Sequence, residues 1–204
     1  MDLQSFLVTL RDLKNDDELI DYCRKYVIHG TPYVFLDRED DYYEFRKRIA
    51  NNFNIVFNEI FITGSAKLGF RFSPWKEKDF DYDSDIDVAI ISNNLYDEIM
   101  ESIRCYQMEL RKARRSVTKK ELEIYHKFLE YIAMGWIRPD KLPLSFRVKD
   151  FKNDWFEFFK SISYDQAEVG DYKVSAGVFK SYFHFEEYTI SGLKELRNSL
   201  IIGI

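Results

Sequence analysis

Cysteine is nearly absent. The two present in 204 residues, Cys23 and Cys105, form no CxxC pair and no Cys/His cluster, so neither a structural zinc centre nor a disulfide framework is expected. Histidine is as scarce: His29, His126 and His184 stand far apart without a partner motif. Each is expected to be structural or superficial, and His29, beside a Gly-Pro turn, is the strongest chemical candidate of the three. No apolar run approaches the roughly 20 residues of a membrane span. The opening MDLQSFLVTLRDLKNDDE meets Asp2, Arg11, Asp12 and Lys14 too early for a signal peptide. A cytoplasmic protein with no membrane partner is the expectation. An excess of basic charge is missing too. The net charge of −5 and pI near 5.4 exclude a globally basic nucleic-acid binder, although a local basic groove remains compatible with them. Repeats, low-complexity segments and flexible linkers are likewise missing, and composition marks no boundary. One α/β domain over 1–204 is therefore expected, with a core of about residues 54–181 and helical extensions at both ends.

What the chain does have is rings. Eighteen Phe and fourteen Tyr within a 46% hydrophobic composition are enough to pack a substantial core. Leu3, Phe6, Leu7 and Leu10, and then Leu19, Ile20, Cys23, Tyr26 and Val27, fall at helical spacing, which predicts two short helices over 2–27. IHGTPYVF breaks that pattern and reads as a short strand or strap. A third helix is predicted over 39–53, strands at EIFIT and IDVAIIS, and helices at about 95–115 and 118–135. GWIRPDKLP then reads as a proline-bounded polar connector, one that would line a cleft or simply stop a helix. Beyond it the pattern predicts a strand at LSFRV, a helix at DWFEFFKSI, a strand at KVSAGVFKSY and a closing helix from about Phe185 to Leu200.

The most unusual feature is an alternation of acids. Glu77, Asp79, Asp81, Asp83, Asp85 and Asp87 occupy every odd position from 77 to 87. The first four read as a solvated loop. The last two open an apolar run, and on a strand their side chains share one face about 7 Å apart, with Ile86, Val88 and Ile90 on the other. Two like charges that close call for a cation or a proton between them, and two carboxylates plus phosphate oxygens and water are what Mg²⁺ accepts. Upstream, FITGSAKLG supplies a strand, then Gly64 for close backbone approach, Ser65 as a hydroxyl donor and a helix start whose free N–H groups favour anions. Lys67 would add a phosphate-facing charge.

At Ile62-Thr63-Gly64-Ser65 followed by Asp85-Ile86-Asp87-Val88 the chain resembles the nucleotidyltransferase superfamily of the DNA polymerase β type. The resemblance lies within the stretch from Phe61 to Ser92. It implies a nucleotidyltransferase fold, a mixed sheet flanked by helices, in which Gly64 and Ser65 grip an NTP and Asp85 and Asp87 hold Mg²⁺ or Mn²⁺. It further implies transfer of an NMP to an acceptor hydroxyl on RNA, a protein or a small molecule, with pyrophosphate released and cations assisting both attack and departure. The chain's size is that of small bacterial members from defence or toxin–antitoxin systems. Two departures stand out. The spacer RFSPWKEKDFDYDS is longer than in small members, which suggests a loop over the site with Trp75 either stacking on a base or anchoring the loop. The third carboxylate of active members is not evident, since KVSAGVFKSY holds no acid. Asp150, after LSFRVK, is the first candidate for it and Asp154 the second. Without that group, the alternative is a nucleotide-binding regulatory protein of the same fold, impaired in catalysis.

Rival motifs fail on specifics. Gly64-x-x-x-x-Gly69 continues with Phe70-Arg71 where a P-loop requires Lys and Ser/Thr. An EF-hand register from Asp79 puts Ser84 at the glycine position and Ile90 where Glu belongs. Six of the ten residues from Arg111 to Lys120 are basic; they would contact an RNA backbone, or simply solvate a helix end.

Overall fold

In the computed structural model, residues 2–71, 78–112, 117–142 and 146–202 are described, with side chains excepted over 146–150. The chain begins with helix α1 (Leu3–Asp12), whose first turn is capped by the Asp2 carboxylate accepting from the Ser5 amide at 2.9 Å. Asn15 caps α2 (Asp16–Tyr22) in the same manner, and the helix runs on into a π-helical turn, Cys23–Ile28. IHGTPYVF is no strand: after Gly30, residues Tyr33–Phe35 form a single 3₁₀ turn. Helix α3 (Glu39–Phe53) follows and ends at Asn54 in the left-handed region.

Strand β1 (Ile60–Thr63) leads directly into the short helix α4 (Gly64–Leu68). The β2 (Phe70–Arg71) and β3 (Lys78–Asp79) strands pair antiparallel as a small separate ribbon. Strand β4 (Asp85–Ile91) is followed by α5 (Asn93–Arg111), capped by Ser92, and by α6 (Lys119–Ala133), which starts with a Thr118/Glu121 capping box. Then come β5 (Trp136–Ile137), α7 (Phe146–Ser161), β6 (Lys173–Phe179) and α8 (Tyr182–Ile202). The sheet order is β1-β4-β6-β5; β4 and β6 run parallel and the other pairs antiparallel, so the molecule is α/β with a mixed four-stranded sheet flanked by helices.

Each face of that sheet buries its own core. Ile60, Ile62, Ile86, Val88, Ile90, Val174 and Val178 point to one side, where α3, α5, α6 and α7 cover them. Phe61, Ala89, Ile91 and Phe179 point to the other, under α1, α2, the π-helical turn and α8. This is the alternation a pleated strand imposes. The strand expected at LSFRV is overturned in its described part: Phe146–Val148 belong to α7, and 144–145 lie outside the described residues. Along that helix Phe151, Trp155 and Phe159 recur every four residues, and Trp155 packs on Phe53 at 4.8 Å between ring centres. A helical stripe of that size outweighs the strand propensity of the three residues that open the helix.

Candidate active site

The site grows from the antiparallel register of β1 and β4. Thr63 pairs with Asp87, so the chain leaves β1 at the point where β4 begins. It turns there at Gly64 with φ +66°, a conformation that side chains disfavour. A Cβ on Gly64 would come within 3.1 Å of the Asp87 carboxylate oxygen Oδ2, so the missing side chain is what lets the bend approach the acid. The helix it opens closes at Gly69, φ +86°, where the Tyr33 ring occupies the space a side chain would need. Among the described residues, none hydrogen-bonds the Ser65 hydroxyl, which is half-buried at the same bend.

Asp85 and Asp87 both open to solvent while Ile86 and Val88 between and beside them are buried. The expected shared face is therefore present. On the parallel neighbour β6, Lys173 pairs with Asp85 and Ser175 with Asp87. The Lys173 ammonium stands 3.6 Å from Asp85 Oδ2, and the Ser175 hydroxyl donates to Asp87 Oδ1 at 3.1 Å. Crowding by strand and bend raises the pKa of Asp87 above the ordinary carboxylate value, and the Asp85 charge adds to that. The Ser175 hydrogen bond and the charges of Arg71 and Lys173 act in the opposite sense and do not cancel it. From α8, Tyr188 lies within electrostatic reach: burial chiefly, and then the Asp87 charge, raise its pKa, while Arg138 opposes them.

The other sequence-predicted residues are placed differently. Lys67 does not extend toward phosphate. Its side chain is buried, and its ammonium donates to the carbonyls of His29 and Gly30 at 2.6 and 2.5 Å, fastening α4 to the end of the π-helical turn; burial brings its pKa down to about 8. Asp150 sits on α7 rather than on a strand, and its side chain lies outside the described residues. Asp154 is exposed on the same helix. Among the described residues, no three His, Cys, Asp or Glu side chains come together as a metal cluster. Asp81 pairs with Lys78 at 2.7 Å and accepts from Ser84, so it belongs to the ribbon, and Asp79 and Asp83 are exposed. Glu77 and Trp75 lie outside the described residues, as does 113–116 of the basic run; Arg111, Lys112, Lys119 and Lys120 are exposed. His29 and His126 are exposed, and His184 lies across Gly135, bonded to Ser181 through Nδ1 at 2.8 Å.

The expected polar connector contributes β5 at the far edge of the sheet. Trp136 stacks on Phe179 at 5.6 Å and fills the space above Gly177; Arg138 lies over the Tyr131 and Trp136 rings and pairs with Asp140. A groove of about 900 Å³ opens elsewhere, beside Ile60 and Phe61, lined by Arg24, Lys25, Tyr42 and Arg46. Its lining includes neither acid of the DxD pair. Among the described residues, no helix is long and apolar enough to cross a membrane.

No family model, curated protein or solved structure matches the chain. The bend and the paired acids therefore have to be read on their own geometry. Sequence reasoning missed Lys173 and Ser175. Their spacing of two on an apolar strand matches that of Asp85 and Asp87, but only the β4–β6 register, across 88 residues, shows that the two pairs meet.

Proposed function

We infer that the chain is a nucleotidyltransferase in fold and activity, moving an NMP from an NTP to an acceptor hydroxyl on RNA, protein or a small molecule. The observation that carries this reading is the contact between the Gly64 bend and the Asp87 carboxylate, with Asp85 beside it on the same open face. A side-chain-free bend next to paired hard oxygen donors suits a cation that bridges protein and phosphate. Asp85 and Asp87 would hold Mg²⁺ or Mn²⁺, which supplies charge neutralisation and polarises the bound phosphate. Gly64 admits the phosphate chain to the backbone, and Ser65 presents a hydroxyl to it. The Ser175 hydrogen bond orients Asp87 before any ligand arrives. Lys67 holds α4, and with it the bend, from behind.

Incubation with each α-labelled NTP, Mg²⁺ or Mn²⁺, and total RNA or lysate protein tests the reading. Label should move to an acceptor in the wild type and vanish in Asp85→Ala and Asp87→Ala. One observation favours the rival, a nucleotide-binding regulator that does not catalyse: β6 presents Lys173 and Ser175 to the acids, and no third carboxylate is found there. Nucleotide binding that depends on Asp85 and Asp87, without any label transfer, would select it.

A further inference from the structure

We propose that this cleft takes a single divalent cation, with the Lys173 ammonium standing where a second cation would otherwise sit; the proposal rests on the nucleotide-transfer reading of the same acids. A pair of cations about 3.5–4 Å apart acts on both the attacking and the leaving oxygen, and each requires several oxygen ligands. The described residues offer two carboxylates at this face and no third His, Cys, Asp or Glu side chain to join them. The two positions that face Asp85 and Asp87 across the β4–β6 ladder are filled by an ammonium and a hydroxyl.

Geometry fixes the consequence of each. Ser175 donates to Asp87 Oδ1 at 3.1 Å, leaving Oδ2, the atom nearest the Gly64 bend, free of described hydrogen bonds and available to a cation. Lys173, 3.6 Å from Asp85 Oδ2, is half-exposed, as is its partner. A pair that open is weak and yields readily to a divalent ion. The displaced ammonium stays tethered within a few ångströms of the site, where it repels a second cation and attracts the phosphate chain of the nucleotide that arrives with the first. Arg71, whose charge also reaches Asp87, strengthens the same bias. Lys173 is then a substrate-facing residue, binding the oxygens that a second ion would otherwise take.

Mn²⁺ titration of the full chain, with free Mn²⁺ read by electron paramagnetic resonance, tests this without nucleotide and with one equivalent of α,β-methylene ATP per chain. Ions are counted per chain in total, including any ion the bound nucleotide carries. The wild type should hold one Mn²⁺ per chain in both conditions. Lys173→Gln should keep that stoichiometry and tighten the single site without nucleotide by roughly threefold to thirtyfold, because a competing positive charge has gone. Folded Lys173→Asp, which supplies the third carboxylate, should hold two. Two Mn²⁺ per wild-type chain, no tightening in Lys173→Gln, or no second ion in folded Lys173→Asp overturns the proposal while leaving the transferase reading intact. Mn²⁺ binding to none of the three chains, with or without nucleotide, sinks the transferase reading itself.

Discussion

Gly64→Ala isolates the bend that brings backbone and acid together. At φ +66° a residue with a Cβ is strained by about 1–2 kcal/mol relative to the right-handed region. The new methyl would also lie 3.1 Å from Asp87 Oδ2, tighter than ordinary van der Waals contact, so the carboxylate must shift by a few tenths of an ångström. For a chain of this length each kcal/mol moves the melting temperature by about 2–4 °C, so a fall of roughly 2–8 °C is expected. Mn²⁺ affinity should fall about tenfold or more, as when the groups that orient a metal ligand are disturbed. The control is Gly192→Ala. Gly192 lies inside α8 with nothing within 4 Å of an added Cβ, and that substitution should stabilise by about 1 kcal/mol. Scanning calorimetry in the presence and absence of Mn²⁺ reads both. If Gly64→Ala melts with the wild type and binds Mn²⁺ equally well, the bend has no special relation to Asp87 and the site is misread.

Three further outcomes follow from groups on either side of the bend. The raised pKa of Asp87 means that the fold holds its proton more tightly than the unfolded chain does, so ionisation destabilises the native state above that pKa. Asp87→Asn should melt higher than the wild type at pH 7, with the gap closing as the pH falls toward the ordinary carboxylate value, and Mg²⁺ should raise the melting point of the wild type alone. Lys67 titrates at about 8 in the fold against 10.5 in the unfolded chain, so its contribution makes stability rise with pH between those values. Urea denaturation of Lys67→Met should lack that rise and show a loss of about 1–3 kcal/mol at pH 7, because the His29 and Gly30 carbonyls lose their donor. Gly177→Ala would put a methyl 2.5 Å from Trp136 Nε1 and drive the indole off β6; a loss of about 1–3 kcal/mol and a changed near-ultraviolet dichroism are expected.

The parts of this molecule legible in the sequence are those governed by near neighbours. The strand that opens at Asp85 was readable because two acids alternate with buried Ile86 and Val88 before an apolar run. Helices α3, α5 and α6 followed from apolar spacing, as in Leu95, Tyr96, Ile99, Ile103 and Tyr106 along one side of α5. The misreading at LSFRV arose because Phe146–Val148, a short stretch with strand propensity, open a helix whose apolar stripe lies downstream, at Trp155 and Phe159. Lys67 was misplaced for a different reason. Its sequence neighbours Gly64 and Ser65 suggest phosphate, but the carbonyls it binds belong to residues 37 and 38 positions earlier. Strand register is similarly long-range: nothing within KVSAGVF reveals that its lysine and serine will stand against two aspartates.

Strand β4 is flanked on both sides, by β1 and β6, and feeds side chains into the cores above and below it. Its amides should therefore be among the last in the molecule to exchange with deuterium. Fraying at the sheet margins, at β5 or in the terminal helices would leave the distance between Asp85 and Asp87 unchanged. A substitution that softens the periphery should then alter how partners gain entry to the acids long before it alters their grip on an ion.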